Sequence, residues 1–318
     1  MKKYFIITID TEGDNLWTPV MRSYGAREIT TDNAFYVERF QKLCEKYGFV
    51  PTYLVNHEMA NAEPFVVQAS EWVKDKKCEI GMHMHAWNTP PIHELKYRRE
   101  SNNPYAGDYP HKVMWEKLYY LTNEIEEKFG VLPTSHRGGR WYVDPWYVQA
   151  LLKLGYVVDC SVTPGVTWAE HIGYKVYGCD YRKYPNEPYM MNGKKLNKKR
   201  SIGLLEIPPT ISNISIKMML NEIKDNPRDF KEIISRKIWL RPNGKNLEEL
   251  LHLADSNDNY LEFMLHSSEL MAGGSPTFKT DGSIEKLYKD MEILFEKIAD
   301  TRTGIGLTDY ANIIRRQI

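Results

Sequence analysis

Two histidines separated by a single residue, His83 and His85, form the spacing in this sequence most suited to metal chemistry. They follow a short apolar run, and in a strand the side chains at positions i and i+2 point to the same face. Two imidazoles and a carboxylate can hold Zn²⁺, Fe²⁺, Co²⁺ or Ni²⁺ and leave positions open for water and substrate. Asp10 and Glu12 share the i, i+2 spacing, so one can bind a metal ion while the other acts as a free base.

Polar residues also follow three other apolar runs. Any one of these groups could be an ordinary hydrogen-bonded loop. Together they are harder to explain that way, because charged groups brought to one face would repel each other or lose hydration without a purpose. We therefore predict that they share one site with the residues above. The further candidates are Arg137, Arg140, Trp141, Asp159, Trp168, His266 and Glu269.

The segments that must position these residues alternate between strand and helix, which predicts a parallel sheet covered by helices. No G-x-G-x-x-G follows the first strand and no G-x-x-x-x-G-K-[ST] occurs, which disfavours a nucleotide-binding fold. We predict an α/β fold, a distorted (β/α) barrel of about seven parallel strands, in which chemistry lies at the carboxyl ends of the strands. The predicted strands are 4–9, 49–55, 78–83, 134–137, 156–159, 204–207 and 260–266.

The 318 residues are predicted to form a single domain over 1–318. Residues 169–203 lack periodicity and are expected to form an insertion loop, whereas 213–257 is expected to be a helical segment. The stretch 88–110, rich in proline, asparagine and charge, is expected to be a long loop. Other predicted helices are 32–47, 63–75, 111–129, 144–153 and 282–299.

The charge composition argues against some classes of binding partner. The 42 basic and 42 acidic residues give zero net charge, so the chain has no general attraction to nucleic acid or to an anionic membrane. No apolar run approaches the ~18 residues of a membrane span, and the amino terminus is typical of a buried strand rather than of a signal peptide. The four cysteines form no C-x-x-C pair and are expected to be free thiols. We expect a cytoplasmic protein; the sequence leaves its oligomeric state open.

The candidate residues, taken in chain order, resemble the five motifs of the polysaccharide deacetylase family, the NodB-homology carbohydrate esterases. The resemblance extends from Ile6 to about Leu307. The motif-like segments are Asp10-Thr11-Glu12, His83-Met84-His85-Ala86-Trp87, Arg137-Gly138-Gly139-Arg140-Trp141, Asp159-Cys160-Ser161 with Trp168, and Leu265-His266. The family implies a divalent metal, most often Zn²⁺ with Co²⁺ or Ni²⁺ as alternatives, and an acetylated sugar as substrate.

The resemblance also implies roles for individual residues. Asp10 corresponds to the general base, His266 to the general acid, and Arg137 or Arg140 to the arginine that orients the base. Glu12, His83 and His85 are the predicted metal ligands. The residues predicted to contact substrate are Trp87, Trp141, Asp159, Trp168 and Glu269. Glu269 and Asp159 are also the two candidates for a carboxylate beside His266.

Two motifs depart from the usual family pattern. The commoner first motif has two adjacent aspartates, whereas this chain has Thr11 at the second position and Glu12 after it. The usual metal pair is H-x-x-x-H, but Trp87 occupies the position of the second histidine. Either His85 replaces that histidine as a ligand, or Glu12, His83 and water hold the metal. Asp14 is a spare carboxylate near the same site.

We therefore expect a metal-dependent deacetylase that hydrolyses the N-acetyl, or less readily the O-acetyl, group of a sugar or of a precursor of surface polysaccharide. Two alternatives stay open. The chain could hydrolyse another linear amide, or it could be a catalytically inactive relative that binds carbohydrate. Metal content separates the inactive relative from the two enzymes.

Overall fold

The computed structural model describes residues 2–14, 16, 29–95 and 103–317. Within this part of the chain, strands and helices alternate along most of the sequence. The strands are β1 (Tyr4–Thr11), β2 (Pro51–Val55), β3 (Glu79–Met84), β4 (Ser135–Gly138), β5 (Val158–Asp159), β6 (Tyr189–Met191), β7 (Leu204–Glu206), β8 (Ile211–Asn213), β9 (Lys237–Trp239), β10 (Tyr260–His266) and β11 (Thr303–Gly304).

The helices lie mainly between consecutive strands of the sheet. They are α1 (Val37–Lys46), α2 (His57–Ala60), α3 (Glu63–Lys74), α4 (His111–Phe129), α5 (Pro145–Lys153), α6 (Ile216–Asp225), α7 (Phe230–Ser235), α8 (Leu247–Ala254), α9 (Asp281–Ala299) and α10 (Leu307–Arg315). None of these described helices combines the length and the apolar character that crossing a membrane requires.

Local signals explain several helix boundaries. Asp144 caps α5, because its carboxylate accepts a hydrogen bond from the backbone N–H of Tyr147 at 2.8 Å. Thr280 caps α9 in the same way through the N–H of Ser283. Gly130 ends α4 with φ +69°, a left-handed conformation that glycine adopts without a steric penalty.

The main sheet has the strand order β10-β1-β2-β3-β4-β5-β7-β6, and β11 also pairs with β1. Neighbouring strands are parallel except β6 and β7, which are antiparallel. Seven of the parallel strands (β1 to β5, β7 and β10) follow the predicted strand positions, and the predicted α/β fold is confirmed.

The sheet curls into a distorted barrel, and isolated hydrogen bonds join β10 to the residue before β8 and to the residue after β9. The N–H of Thr210 donates to the carbonyl oxygen of Glu262 at 3.2 Å, and the N–H of Met264 donates to that of Leu240 at 3.3 Å. These are single bonds and not a continuous ladder, so β10 has no regular strand partner on this side within the part of the chain that the structure describes.

The structure adds strands to two segments predicted without them. Residues 169–203 contain β6, and 213–257 contain β9 together with helices α6, α7 and α8. Both strands have three residues, too few to show the alternating pattern by which a strand is recognised in sequence. Residues 96–102 of the predicted loop 88–110 lie outside the described residues, and a short 3₁₀ helix covers 106–108.

Successive residues of each strand face either the barrel interior or the surrounding helices. On β1, Phe5, Ile7 and Ile9 belong to the large apolar cluster under the helices, whereas Ile6 belongs to a smaller cluster. The ring of Phe295 from α9 makes edge contacts with Phe5 at 5.7 Å. It contacts the rings of Phe40, Tyr47, Phe49 and Phe263 as well. The four cysteines are unpaired, as predicted.

Replacing Phe295 by alanine should lower the free energy of unfolding by about 3–5 kcal/mol, because the lost ring leaves a cavity among several packed aromatic side chains. Chemical denaturation measures this loss. Phe35→Ala is the matched control, since Phe35 is 67% exposed and its loss should cost less than about 0.5 kcal/mol. Equal losses in the two variants would contradict this account of the core.

Candidate metal centre and active site

Strand register brings the predicted catalytic residues to one mouth of the barrel. Asp10 on β1 is the register partner of His266 on β10, and His83 on β3 is the partner of Arg137 on β4. Register partners in neighbouring strands point to the same face of the sheet. All four side chains are therefore on the interior face, although they are far apart in sequence.

The three predicted metal ligands meet just above the ends of β1 and β3. Nε2 of His85 lies 3.0 Å from Oε2 of Glu12 and 2.9 Å from Nε2 of His83. Nε2 of His83 lies 3.5 Å from the same Glu12 oxygen. All three residues are buried. Within the described part of the chain, they form a group whose ligand atoms lie close enough together to hold a metal ion.

These positions fit a zinc ion. Tetrahedral Zn²⁺ with bonds of ~2.0–2.2 Å holds its ligand atoms ~3.3–3.6 Å apart. The separation of His83 from Glu12, 3.5 Å, lies in this range, and the two separations of His85, 3.0 and 2.9 Å, are slightly shorter. Nδ1 of His83 donates to the backbone carbonyl of Arg137 at 3.0 Å, so the neutral ring carries its lone pair on Nε2, toward Glu12 and His85. The His85 ring stacks on Trp87, with ring centroids 4.3 Å apart.

Charge in the site keeps Glu12 ionised. Burial by itself raises the pKa of Glu12, but its hydrogen bonds with His83 and His85 outweigh burial, and the pKa lies well below its usual range. For His83, burial lowers the pKa, yet the charge of Asp10 and the hydrogen bond to Glu12 raise it above the ordinary value. A proton on His83 therefore competes with a metal ion for the same nitrogen.

Asp10 lies between Arg137 and the cavity. Its Oδ1 accepts a hydrogen bond from Nη1 of Arg137 at 2.6 Å, whereas its Oδ2 lies 4.0 Å from Nε2 of His83 and 3.5 Å from Nε2 of His266. Burial raises the pKa of Asp10, but the charges of Arg137, His83 and His266 outweigh burial and lower it. The carboxylate thus stays ionised, with one oxygen held and the other facing the histidines.

Arg137 is fully buried and shared among several acceptors. Besides Asp10, its guanidinium donates to Oε1 of Glu262 at 2.7 Å, to Oγ1 of Thr8 at 2.8 Å and to the carbonyl of Cys160 at 3.2 Å. Burial raises the pKa of Glu262 to about 7, against the opposing effect of the Arg137 charge. Asp10 and Glu262 hold this cation from two sides.

A carboxylate and an arginine orient His266. Nδ1 of His266 lies 3.2 Å from Oε2 of Glu269, and the other Glu269 oxygen accepts a hydrogen bond from Arg241 at 3.0 Å. The backbone N–H of His266 also donates to Glu269 at 3.0 Å. These contacts leave Nε2 directed toward Asp10. Glu269, predicted to contact substrate, is buried and contacts His266 instead.

Asp159, also predicted to contact substrate, lies on the opposite face of the sheet. Its register partner on β4 is His136, not Arg137, and it therefore points away from the barrel interior. The carboxylate is fully buried and accepts from Nδ1 of His136 at 2.6 Å and from Oγ of Ser161 at 2.8 Å. The prediction for Asp159 was wrong because neighbouring residues of a strand point to opposite faces of the sheet, so a shift of one residue in register exchanges the cavity face for the helix face.

A cavity of about 270 Å³ opens above these groups. Asp10, Glu12, His83, His85 and His266 form part of its lining. Its walls are largely aromatic, and they include three of the residues predicted to contact substrate. Among the described residues, the cavity is lined by the aromatic side chains of Trp87, Tyr105, Trp141 and Trp168.

Arg140 lines the same cavity but is placed differently from Arg137. Its guanidinium lies 3.8 Å over the ring of Tyr105 and donates to the carbonyl of Asn103. Arg140 and Trp141 both have φ +57°, a left-handed conformation that is strained for residues other than glycine. Of the two arginines proposed to orient Asp10, Arg137 makes the bond to it, and the turn places Arg140 in the cavity wall.

Comparison with solved structures gives 43 chains with significant similarity. A protein from Parabacteroides distasonis assigned as a glycoside hydrolase or deacetylase matches all of this chain and 72% of its own, at 9% identity and TM-score 0.65. A protein from Mycobacterium smegmatis assigned as a polysaccharide deacetylase matches 100% of this chain and 92% of its own, at 13% identity and TM-score 0.55. The chain has the NodB-like deacetylase fold.

Other comparisons limit what this likeness implies. A 4-α-glucanotransferase from Thermococcus litoralis matches 98% of this chain and 40% of its own, at 12% identity and TM-score 0.54. No protein-family model matches the sequence, and a search of curated proteins also finds no match. Since one fold serves different reactions, the activity has to be argued from the residues of the site.

Sequence reasoning missed two charged residues of this site, Glu262 and Arg241. Glu262 had a visible signal, because it is the one charged residue inside the apolar run Tyr260–Leu265. Arg241 follows the short strand β9, which the sequence pattern does not reveal. Its place beside Glu269 depends on the packing of β9 against the barrel.

Zinc affinity should rise as the pH increases past 6.5, the ordinary pKa of histidine, because His83 has a raised pKa and must lose its proton before it binds metal. Titration calorimetry over a range of pH values measures this dependence together with the protons released. His83→Ala should weaken binding and flatten the dependence. His111→Ala, which removes a ring stacked on Trp146, should change neither. An unchanged profile in His83→Ala would exclude His83 as a ligand.

Proposed function

We propose that this protein is a metal-dependent deacetylase that removes the acetyl group from an N-acetylated sugar or sugar-containing precursor. The observation that supports this most strongly is the position of Asp10. One of its oxygens is bonded to Arg137, and the other faces His266 beside the Glu12, His83 and His85 group. A base, an acid and a three-ligand metal group thus lie around one cavity, as hydrolysis of an amide requires.

Glu12, His83 and His85 would hold the metal, and Zn²⁺ suits their one oxygen and two nitrogen ligands best, with Co²⁺ and Ni²⁺ as alternatives. When bound, the ion supplies a Lewis acid that polarises the acetyl carbonyl and lowers the pKa of a water molecule toward neutrality. The aromatic stacking of His85 on Trp87 and the bond from His83 to the Arg137 carbonyl keep both rings oriented toward the ligand position.

Asp10 is the general base in this proposal. Its Oδ2 takes the proton from the attacking water, while the charge-assisted bond from Arg137 to Oδ1 fixes the direction of the carboxylate. The lowered pKa of Asp10 keeps it ionised and ready to accept a proton over the physiological pH range. Arg137 does not act on the substrate itself; it positions the base.

His266 is the general acid. Its Nδ1 bonds to Glu269, so that Nε2 projects into the cavity and can donate a proton to the leaving amine nitrogen. This donation is necessary because an amine anion is a very poor leaving group. Arg241 bonds to Glu269 and keeps that carboxylate in place.

Cavity shape supports a sugar as the substrate. The volume of about 270 Å³ is just below the ~300–1,000 Å³ of typical ligand pockets, which suits a single sugar unit. Indole rings at Trp87, Trp141 and Trp168 can pack against the apolar faces of a sugar ring. An acetylated carbohydrate therefore fits this cavity better than an extended aliphatic amide does.

Asp10→Asn should retain the fold and bound metal while reducing kcat by about 10²–10⁴, because the amide has the same shape but cannot accept a proton. Acetate release from N-acetyl sugars, measured with elemental analysis of the same sample, tests this. Asp14→Asn is the matched control, since Asp14 bonds to Thr30 and to the Asn33 N–H. Turnover close to wild type in Asp10→Asn would assign the base to another residue.

His266→Ala should slow cleavage of an N-acetyl substrate by about 10²–10⁴ and slow cleavage of the matching O-acetyl ester less. The reason is that an alkoxide leaves more readily than an amine anion and depends less on a proton donor. Rates on the two substrates measure the difference, and His252→Ala, with an exposed ring on α8, serves as control. Equal losses on amide and ester would exclude His266 as the general acid.

The sequence leaves two other functions open, and one screen distinguishes them. Acetate release from free and nucleotide-linked N-acetyl sugars, with Zn²⁺, Co²⁺ and Ni²⁺ tested separately, is expected under the proposed function. Ammonia or amine release from linear amides without acetate would favour the other hydrolase. Sugar binding without metal uptake or turnover would indicate the inactive carbohydrate-binding relative.

A further inference from the structure

Glu58 is a buried acid next to the proposed metal centre to which the mechanism above gives no role. It lies on the single-turn helix α2, directly after the carboxyl end of β2. The side chain of Asn56 caps this helix by accepting a hydrogen bond from the N–H of Met59 at 3.1 Å. The cap fixes the backbone at Glu58, so that its side chain approaches the mouth of the barrel from the side of β2.

Asn88 connects Glu58 to the turn that carries His85. Its Nδ2 donates to Oε1 of Glu58 at 2.6 Å. The backbone of this turn is closed by a hydrogen bond from the N–H of Thr89 to the carbonyl of His85 at 3.1 Å. Glu58 is thus tied to the turn that begins at the proposed ligand. Glu58 also lies close to Gly13, the residue that follows Glu12. A Cβ atom added to Gly13 would be 3.4 Å from the Cβ of Glu58.

Four buried polar atoms on these residues have no hydrogen-bond partner within the described part of the chain: Oε2 of Glu58, Nδ1 of His85, Oδ1 of Asn88 and Oγ1 of Thr89. Oε2 of Glu58 is the only carboxylate oxygen among them, and Nδ1 of His85 belongs to the proposed metal ligand. When a histidine binds a metal through Nε2, its Nδ1 carries a proton and requires an acceptor. An ionised carboxylate on Glu58 acts only as a hydrogen-bond acceptor and never as a donor. The two atoms therefore have complementary needs, and the metal-bound state satisfies both.

We propose that Glu58 is the positioning residue for His85, accepting the proton on Nδ1 directly or through one water molecule when Nε2 binds metal. This inference rests on the proposed metal site. His83 has an equivalent acceptor in the backbone carbonyl of Arg137. Each of the two histidine ligands is then oriented by a fixed oxygen, one from the main chain and one from a side chain.

Glu58→Gln tests the proposal with little change in shape. The glutamine oxygen can still accept from Asn88, but the NH₂ group that replaces Oε2 cannot accept from Nδ1 of His85. The dissociation constant for Zn²⁺, measured by competition with a chelator, should rise about 10–100-fold. In the zinc-loaded protein, the ¹⁵N resonance of His85 Nδ1 should also shift, which a purely structural role of Glu58 would not cause.

Glu124→Gln is the matched control, because Glu124 also pairs with a histidine, His57, through Nδ1 at 2.8 Å but lies outside the site. Zinc affinity should be unchanged in this variant. Asn88→Ala is the second test if Glu58→Gln folds poorly. It frees the Glu58 carboxylate without removing it, and the zinc dissociation constant should rise by a smaller factor.

The outcomes separate this inference from the proposed function. A wild-type protein that binds no zinc, cobalt or nickel would overturn both. Wild-type zinc binding with the same affinity and the same His85 resonance in Glu58→Gln would overturn the role of Glu58 alone. If Glu58→Gln is unfolded, wild-type zinc affinity in Asn88→Ala would overturn it as well.

Discussion

The buried guanidinium of Arg137 is the interaction on which the rest of the site depends. A charge inside a barrel is costly unless it is paired and hydrogen-bonded, and removing one partner of such a pair typically costs about 3–5 kcal/mol. Arg137 has two carboxylate partners, Asp10 and Glu262, from adjacent strands β1 and β10. Its own backbone carbonyl orients His83. One residue thus connects the proposed base, the barrel interior and a proposed metal ligand.

Alternation along the strands separates two buried polar networks. Arg137 points inward to Asp10, whereas His136, one residue earlier, points outward to Asp159 and to the hydroxyl of Tyr147 on α5. Burial and the neighbouring Asp159 raise the pKa of Glu206 well above its usual value. This outer network joins β4, β5 and β7 to the covering helix and has no place in the proposed chemistry.

Much of the fold was predictable because its signals are local. Buried runs such as that of β10, caps such as Asp144 and the terminal glycine of α4 act within a few residues. The three-residue strands β6 and β9 were not predictable, since a strand of that length is recognised only by its partner. Arg241 follows β9 and was missed for the same reason, although it completes the surroundings of His266.

The sequence by itself determined which residues could do chemistry: the i, i+2 pairs Asp10/Glu12 and His83/His85 each start inside a strand, which has a period of two, and end one residue beyond it. Only the tertiary structure decided how these pairs combine. Strand register set Arg137 rather than Arg140 against Asp10 and turned Asp159 away from the cavity, and the 3₁₀ turn that follows β10 placed Glu269 beside His266. Register depends on contacts between strands that are separated in sequence, such as β1 and β10, which pair Asp10 with His266, and no local pattern in the chain records it.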